Sequence, residues 1–99
     1  MKVSISSLHF KADRKLEDFI REKVTKVSSL FDGVIGSDVT LKLDQSITNG
    51  NKIAEIRIQI PGNDLFAKKQ AKTFEEAIDS AVDALKKQIT RHKEKVKGL

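Results

Sequence analysis

Polar and apolar residues alternate near the start of the chain, Val3 and Ile5 against Ser4 and Ser6, with Leu8 following. A period of two puts successive side chains on opposite faces, so the pattern predicts a strand over about residues 2–8. The period then lengthens. Beyond Asp13, which is placed to N-cap a helix, Leu16, Phe19, Ile20, Val24, Val27, Leu30 and Phe31 recur every three or four residues. That spacing gives an amphipathic helix of about eighteen residues. Asp32-Gly33 is expected to end it, Gly33 suiting a left-handed C-terminal cap.

Alternation returns in Val39, Leu41 and Leu43, and again in Ile56, Ile58 and Ile60, giving two further strands. Asn49-Gly50-Asn51 marks the turn between them, and Pro61-Gly62-Asn63 marks a tight turn after them. Leu65, Phe66 and Ala67 open a fourth strand, expected to be short because Lys68, Lys69 and Lys72 follow. Thr73 with Glu76 three residues on forms a capping box. It starts a helix whose apolar stripe is Phe74, Ala77, Ile78, Ala81, Leu85, Ile89 and Val96, running to about residue 97. One dry and one wet face on the strands imply a largely antiparallel, open sheet. The order β-α-β-β-β-α predicts an α+β domain, a four-stranded sheet with two helices packed on one face. At 99 residues the chain is expected to be one domain, residues 1–99.

Composition narrows the functional classes. The chain has no cysteine, which excludes disulfides, thiolate metal sites and thiol nucleophiles. It has no Trp or Tyr, so partners are not anchored through those side chains. The first residues hold neither a long apolar run nor a small-residue cleavage pattern, and a cytoplasmic, unprocessed protein is expected. The net charge is +5, and its placement carries more meaning than its size. Residues 1–85 carry 13 basic and 13 acidic side chains. Residues 86–99 carry Lys86, Lys87, Arg91, Lys93, Lys95 and Lys97 against Glu94 alone, which is the whole excess.

The second helix is thus polarised, with Glu75, Glu76, Asp79 and Asp83 early and the cations late. The order suits the helix dipole, and Asp83 with Lys87 is a favourable i,i+4 pair. Six cations in fourteen residues exceed what the dipole accounts for. Lys87, Arg91 and Lys95 form one row; Lys86, Lys93 and Lys97 form a second. Cations spaced by about 6 Å along a row match a phosphodiester backbone. A membrane-surface helix is the competing reading. The phosphate reading is preferred because only Ile89 and Val96 follow Leu85 on the apolar stripe. Lys23 and Lys26 of the first helix lie in an acid-free stretch and extend the patch if the helices lie side by side. The alternative is that they are ordinary surface lysines.

Catalytic constellations are not found. His9 and His92 have no metal-ligand spacing, and His92 is expected to be packed near the apolar stripe. No serine sits in a nucleophile elbow. Gly33-Val34-Ile35-Gly36 and Pro61-Gly62 lack the spacing of phosphate loops. Asp79 and Asp83 share a helix face and read as dipole and salt-bridge residues. Phe10 and Phe66 are candidates for base stacking, with core packing the preferred reading. A non-enzymatic protein without metal, cofactor or small-molecule substrate is expected.

At Glu76-Ala77-Ile78-Asp79, Asp83-x-Leu85 and Gln88-Ile89-Thr90-Arg91-His92-Lys93-Glu94-Lys95 the sequence resembles the ribosome hibernation promoting factor family, also called ribosome-associated inhibitor or sigma-54 modulation proteins. Lys23-x-x-Lys26, Leu30-Phe31-Asp32 and Val39-x-Leu41 support the resemblance, which covers essentially the whole chain. It implies the same β-α-β-β-β-α fold, similar to a double-stranded RNA-binding domain. It implies binding to the small ribosomal subunit in the channel for messenger and transfer RNA, and arrest of translation in stationary phase or stress. The matching positions are Lys23 and Lys26, then Lys87, Arg91, Lys93 and Lys95; His92 lies within the same run, and Lys86 and Lys97 carry less weight. The partner implied is ribosomal RNA phosphate, with no membrane and a monomer off the ribosome. Ala84 stands where relatives can have Lys, and Lys68-Lys69 where relatives often have small residues, so the patch is expected to shift or grow there. The length resembles the short form, which lacks the second domain that dimerises ribosomes. Two rival readings are a protein-binding regulator of the transcription machinery and a general double-stranded RNA binder.

Overall fold

The computed structural model describes residues 2–8, 10–46 and 50–96, the last five of these by backbone alone. The elements follow in the order β1 (Lys2–Leu8), α1 (Arg14–Ser28), β2 (Gly36–Leu43), β3 (Lys52–Ile60), β4 (Asn63–Ala71) and α2 (Phe74–Val96). They form one four-stranded sheet in the order β1-β2-β3-β4. β1 pairs with β2 in parallel across α1, and the other two pairings are antiparallel. The parallel pair follows from the intervening helix, since parallel neighbours need a long crossover.

The period-two pattern fixes which face is dry. Val39, Leu41, Ala54, Ile56, Ile58, Leu65 and Ala67 point to the helices and are buried. Ile20, Val24 and Val27 of α1 and Phe74, Ala77, Ile78, Ala81, Leu85 and Ile89 of α2 close over them. Both helices start at the same end of the sheet, where Phe10 stacks on Phe74 at 4.5 Å between ring centroids. They therefore run in the same direction, and α2, eight residues longer than the 15-residue α1, extends past its end.

Three expectations are revised. The first helix stops at Ser28 rather than near residue 31. The amides of Leu30 and Phe31 step to carbonyls only three residues back, and the Ser29 hydroxyl donates to the Lys26 carbonyl at 2.7 Å. The chain thus tightens out of the α-helix, while Phe31 still packs against the core, which is why its periodicity persisted. Gly33 does take a left-handed conformation (φ +90°), but in the loop beyond Ser29, which caps the helix. β4 is long, nine residues in full register with β3. Lysine stems lie along a sheet while their ammonium groups stay in water, so the lysines do not end the strand. Pro61-Gly62 makes the hairpin turn that joins β3 to β4, with Gly62 at φ +82°.

Candidate nucleic-acid interface

The placement of α2 begins at its first turn. The Thr73 hydroxyl accepts from the Glu76 amide at 3.1 Å, satisfying one of the open donors there. The apolar stripe then seats the helix on β3 and β4. A third contact sets its position over the sheet edge: Gln88 donates to the Phe66 carbonyl at 2.7 Å and accepts from the Phe66 amide at 3.3 Å. The side-chain amide thereby occupies the two backbone groups that Phe66, on the outer edge of β4, would otherwise offer to another strand.

With the stripe turned inward, Lys86, Lys87 and Arg91 are turned outward. Lys86, Lys87, Thr90 and Arg91 line one hollow on the solvent side of the helix. Lys87 and Arg91 also face a second hollow between α2 and β4. Among the described residues, Lys86 and Arg91 make no ion pair. Lys87 reaches Asp83 at 3.5 Å, as the i,i+4 spacing requires, with both side chains about two-thirds exposed (71% and 68%). A pair that open to water is worth a few tenths of a kcal/mol and yields readily to a competing phosphate.

The α1 cations are placed differently. Lys23 bridges to Asp79 of α2 at 3.4 Å and lies 5.5 Å from the centre of the Phe19 ring. It ties the two helices together along their shared flank. Lys26 pairs with Glu22 at 3.2 Å and remains exposed. The helices lie side by side, and Lys23 meets the acidic first half of α2 rather than its cations. The side chains of His92, Lys93 and Lys95 lie outside the described residues, as does Lys97. The helical backbone does continue through the first three of these positions.

Phe66 overturns the expectation of core packing. It is 41% exposed on the helix-free face of the sheet, 5.1 Å from the Arg57 guanidinium. Its parity in β4 puts it opposite Arg57, away from the helices. Phe10, by contrast, is half-buried against Phe74. Lys69 is a cation that the helix pattern could not reveal: it shares the α2–β4 hollow with Lys87 and Arg91. Alternation along β4 is the signal that separates it from Lys68, which faces the other way and reaches Glu55 at 3.8 Å. Among the described residues there is no group of three His, Asp or Glu side chains placed to hold a metal, and no helix long and apolar enough to cross a membrane.

A four-stranded sheet backed by two parallel helices, the longer carrying exposed cations along its outer side, defines a small α+β domain with a basic helical face. The chain belongs to the family described as Sigma 54 modulation protein / S30EA ribosomal protein, whose model matches residues 3–97. It is similar to the ribosome hibernation promoting factor of Pseudomonas putida, 32% identical over 99 residues, covering all of this chain and 93% of the relative. The ribosome hibernation promoting factor of Acinetobacter guillouiae is 29% identical, covering 94% of this chain and 88% of that one. Among solved structures, the N-terminal domain of Thermus thermophilus Protein Y matches with a TM-score of 0.79 at 25% identity, over 93% of this chain and 99% of that domain. A ribosomal subunit interface protein from Coxiella burnetii shares the fold, with a TM-score of 0.84 at 14% identity, over 95% of this chain and 99% of the other.

Proposed function

We propose that this protein is a ribosome hibernation factor. It binds the small ribosomal subunit in the cytoplasm, occupies the channel for messenger and transfer RNA, and so holds translation off during stationary phase or stress. The observation that carries the reading is the outward cluster of Lys86, Lys87 and Arg91 on a helix held rigidly against the sheet, in a member of this family. Ammonium and guanidinium groups at helical spacing meet successive phosphates, and each contact releases condensed counterions. Arg91 adds a planar fork that engages a phosphate through two donors. Such contacts read charge and shape rather than base sequence. The role is one of binding: the bulk of the domain excludes the competing RNAs, and no bond is made or broken.

The test is the combined charge reversal Lys87→Glu, Arg91→Glu and Lys95→Glu, with the fold checked by circular dichroism. The folded variant should lose co-sedimentation with small subunits and no longer inhibit translation in a cell-free system. Undiminished binding by the folded variant would refute the role given to these residues. Adding naked duplex RNA as competitor separates the readings further, since a general duplex binder would be displaced from ribosomes at equal RNA concentration.

A further inference from the structure

The two adjacent lysines of β4 face opposite sides of the sheet. Lys68 stands opposite Glu55 on the helix-free face and reaches its carboxylate, which Lys42 also pairs at 2.9 Å. Lys69 stands opposite Ala54, which is fully buried under the helices, so Lys69 rises on the helix side. There it lines a groove of about 400 Å³ with Ser80, Asp83, Lys87, Gln88 and Arg91. Three cations and one carboxylate share the groove. The carboxylate, Asp83, is already engaged by Lys87 at its exposed rim. The Gln88 amide is committed at both ends to the Phe66 backbone, so it fixes the spacing between β4 and α2.

We propose that Lys69 is a phosphate-binding residue. Together with Lys87 and Arg91 it makes the groove between α2 and the β4 edge a seat for a backbone phosphate of ribosomal RNA. This rests on the functional reading above and extends it from one helix face to a site shared by a helix and a strand. The groove is polar, open to solvent and net positive, which suits an anion brought by a large partner. Cations that converge from two elements hold a phosphate from two sides, which a single helical row cannot do. The structure separates Lys69 from its neighbour by orientation alone, so the two lysines form a matched pair for experiment.

The experiment is equilibrium binding of the full chain to purified small ribosomal subunits over a salt series, for the parent and for Lys69→Gln, Lys68→Gln and Arg91→Gln. Both strand lysines are exposed, and their replacement leaves the core intact. One lost phosphate contact lowers the magnitude of the log–log salt slope by about 0.9 and weakens binding about eightfold at 0.1 M salt. Lys69→Gln should show both changes, and Lys68→Gln should stay within about twofold of the parent, the scale of a distant surface charge. Equal losses for the two would mean a diffuse field rather than a site, and would overturn the proposal. Parental binding by Lys69→Gln with weakened binding by Arg91→Gln would also overturn it, leaving the ribosome-binding reading standing. If the parent itself binds no subunits, both fall. Binding by an acidic protein in place of the subunits, lost in Lys69→Gln, would overturn the RNA assignment.

Discussion

Gln88 links the architecture of the domain to its candidate interface, and replacing it by Ala removes two hydrogen bonds between α2 and the outer strand. The bond to the Phe66 carbonyl, at 2.7 Å, is short and counts near the middle of the usual net range; the bond from the Phe66 amide, at 3.3 Å, is long and counts near the bottom. Phe66 is partly exposed, so water replaces some of what is lost. Alanine also returns a few tenths of a kcal/mol in helix propensity. The sum is a destabilisation of about 1 kcal/mol, which lowers Tm by about 4–8 °C in a domain of this size. Gln88→Glu should do at least as much harm, since a carboxylate cannot donate to the Phe66 carbonyl and repels it. The more specific readout is hydrogen exchange. The Phe66 amide points away from β3 on an edge strand, where an amide normally exchanges freely with water. In the parent it should be protected, and in Gln88→Ala it should exchange at a rate typical of an open edge, while the β3-facing amides of β4 stay protected. A parental Tm together with unchanged protection at Phe66 would show that Gln88 does not clamp the strand.

Other consequences are equally direct. Ile78 is fully buried between α2 and the sheet, so Ile78→Ala should cost about 2–5 kcal/mol, read as a lower urea midpoint at unchanged m-value. The Lys23–Asp79 pair is partly exposed, and a double-mutant cycle should give a coupling below about 1 kcal/mol that fades at high salt. Asp44 accepts from the Ser46 hydroxyl at 2.6 Å and from its amide at 3.0 Å, and these bonds hold its carboxyl below the ordinary value of 3.8. The charged form is therefore favoured in the folded state, and its stabilising effect is present above the ordinary carboxylate range and lost as pH falls through the depressed folded value. An NMR titration should show the low midpoint, and Ser46→Ala should raise it.

Much of this molecule is written in local periodicity. The six elements and their order follow from the switch between periods of two and of about 3.6, and the buried set of α2 from Phe74 to Ile89 is the predicted stripe with Val82 added. The Asp83–Lys87 pair was legible because it needs only helix geometry. What escaped depends on distance through space. Asp79 meets Lys23 because two helices run side by side, and no local pattern reports that. Gln88 reads as one more polar helix residue until α2 is laid across β4. Lys68 and Lys69 read together as a break in the fourth strand, yet the strand absorbs both and sends them to opposite faces. The outward cluster of Lys86, Lys87 and Arg91 was legible from the sequence; the lysine pair of the fourth strand was marked as a place for the patch to grow, but which of the two joins the groove depends on the strand register.

The central claim is that cations of α2 bind ribosomal RNA phosphates on the small subunit. It is tested most directly by the salt dependence of binding between the unmodified protein and purified small subunits. Four to six phosphate contacts predict tight binding at low salt and a log–log slope of roughly −3 to −5. Affinity that barely changes with salt, or no binding at low salt, would contradict the claim.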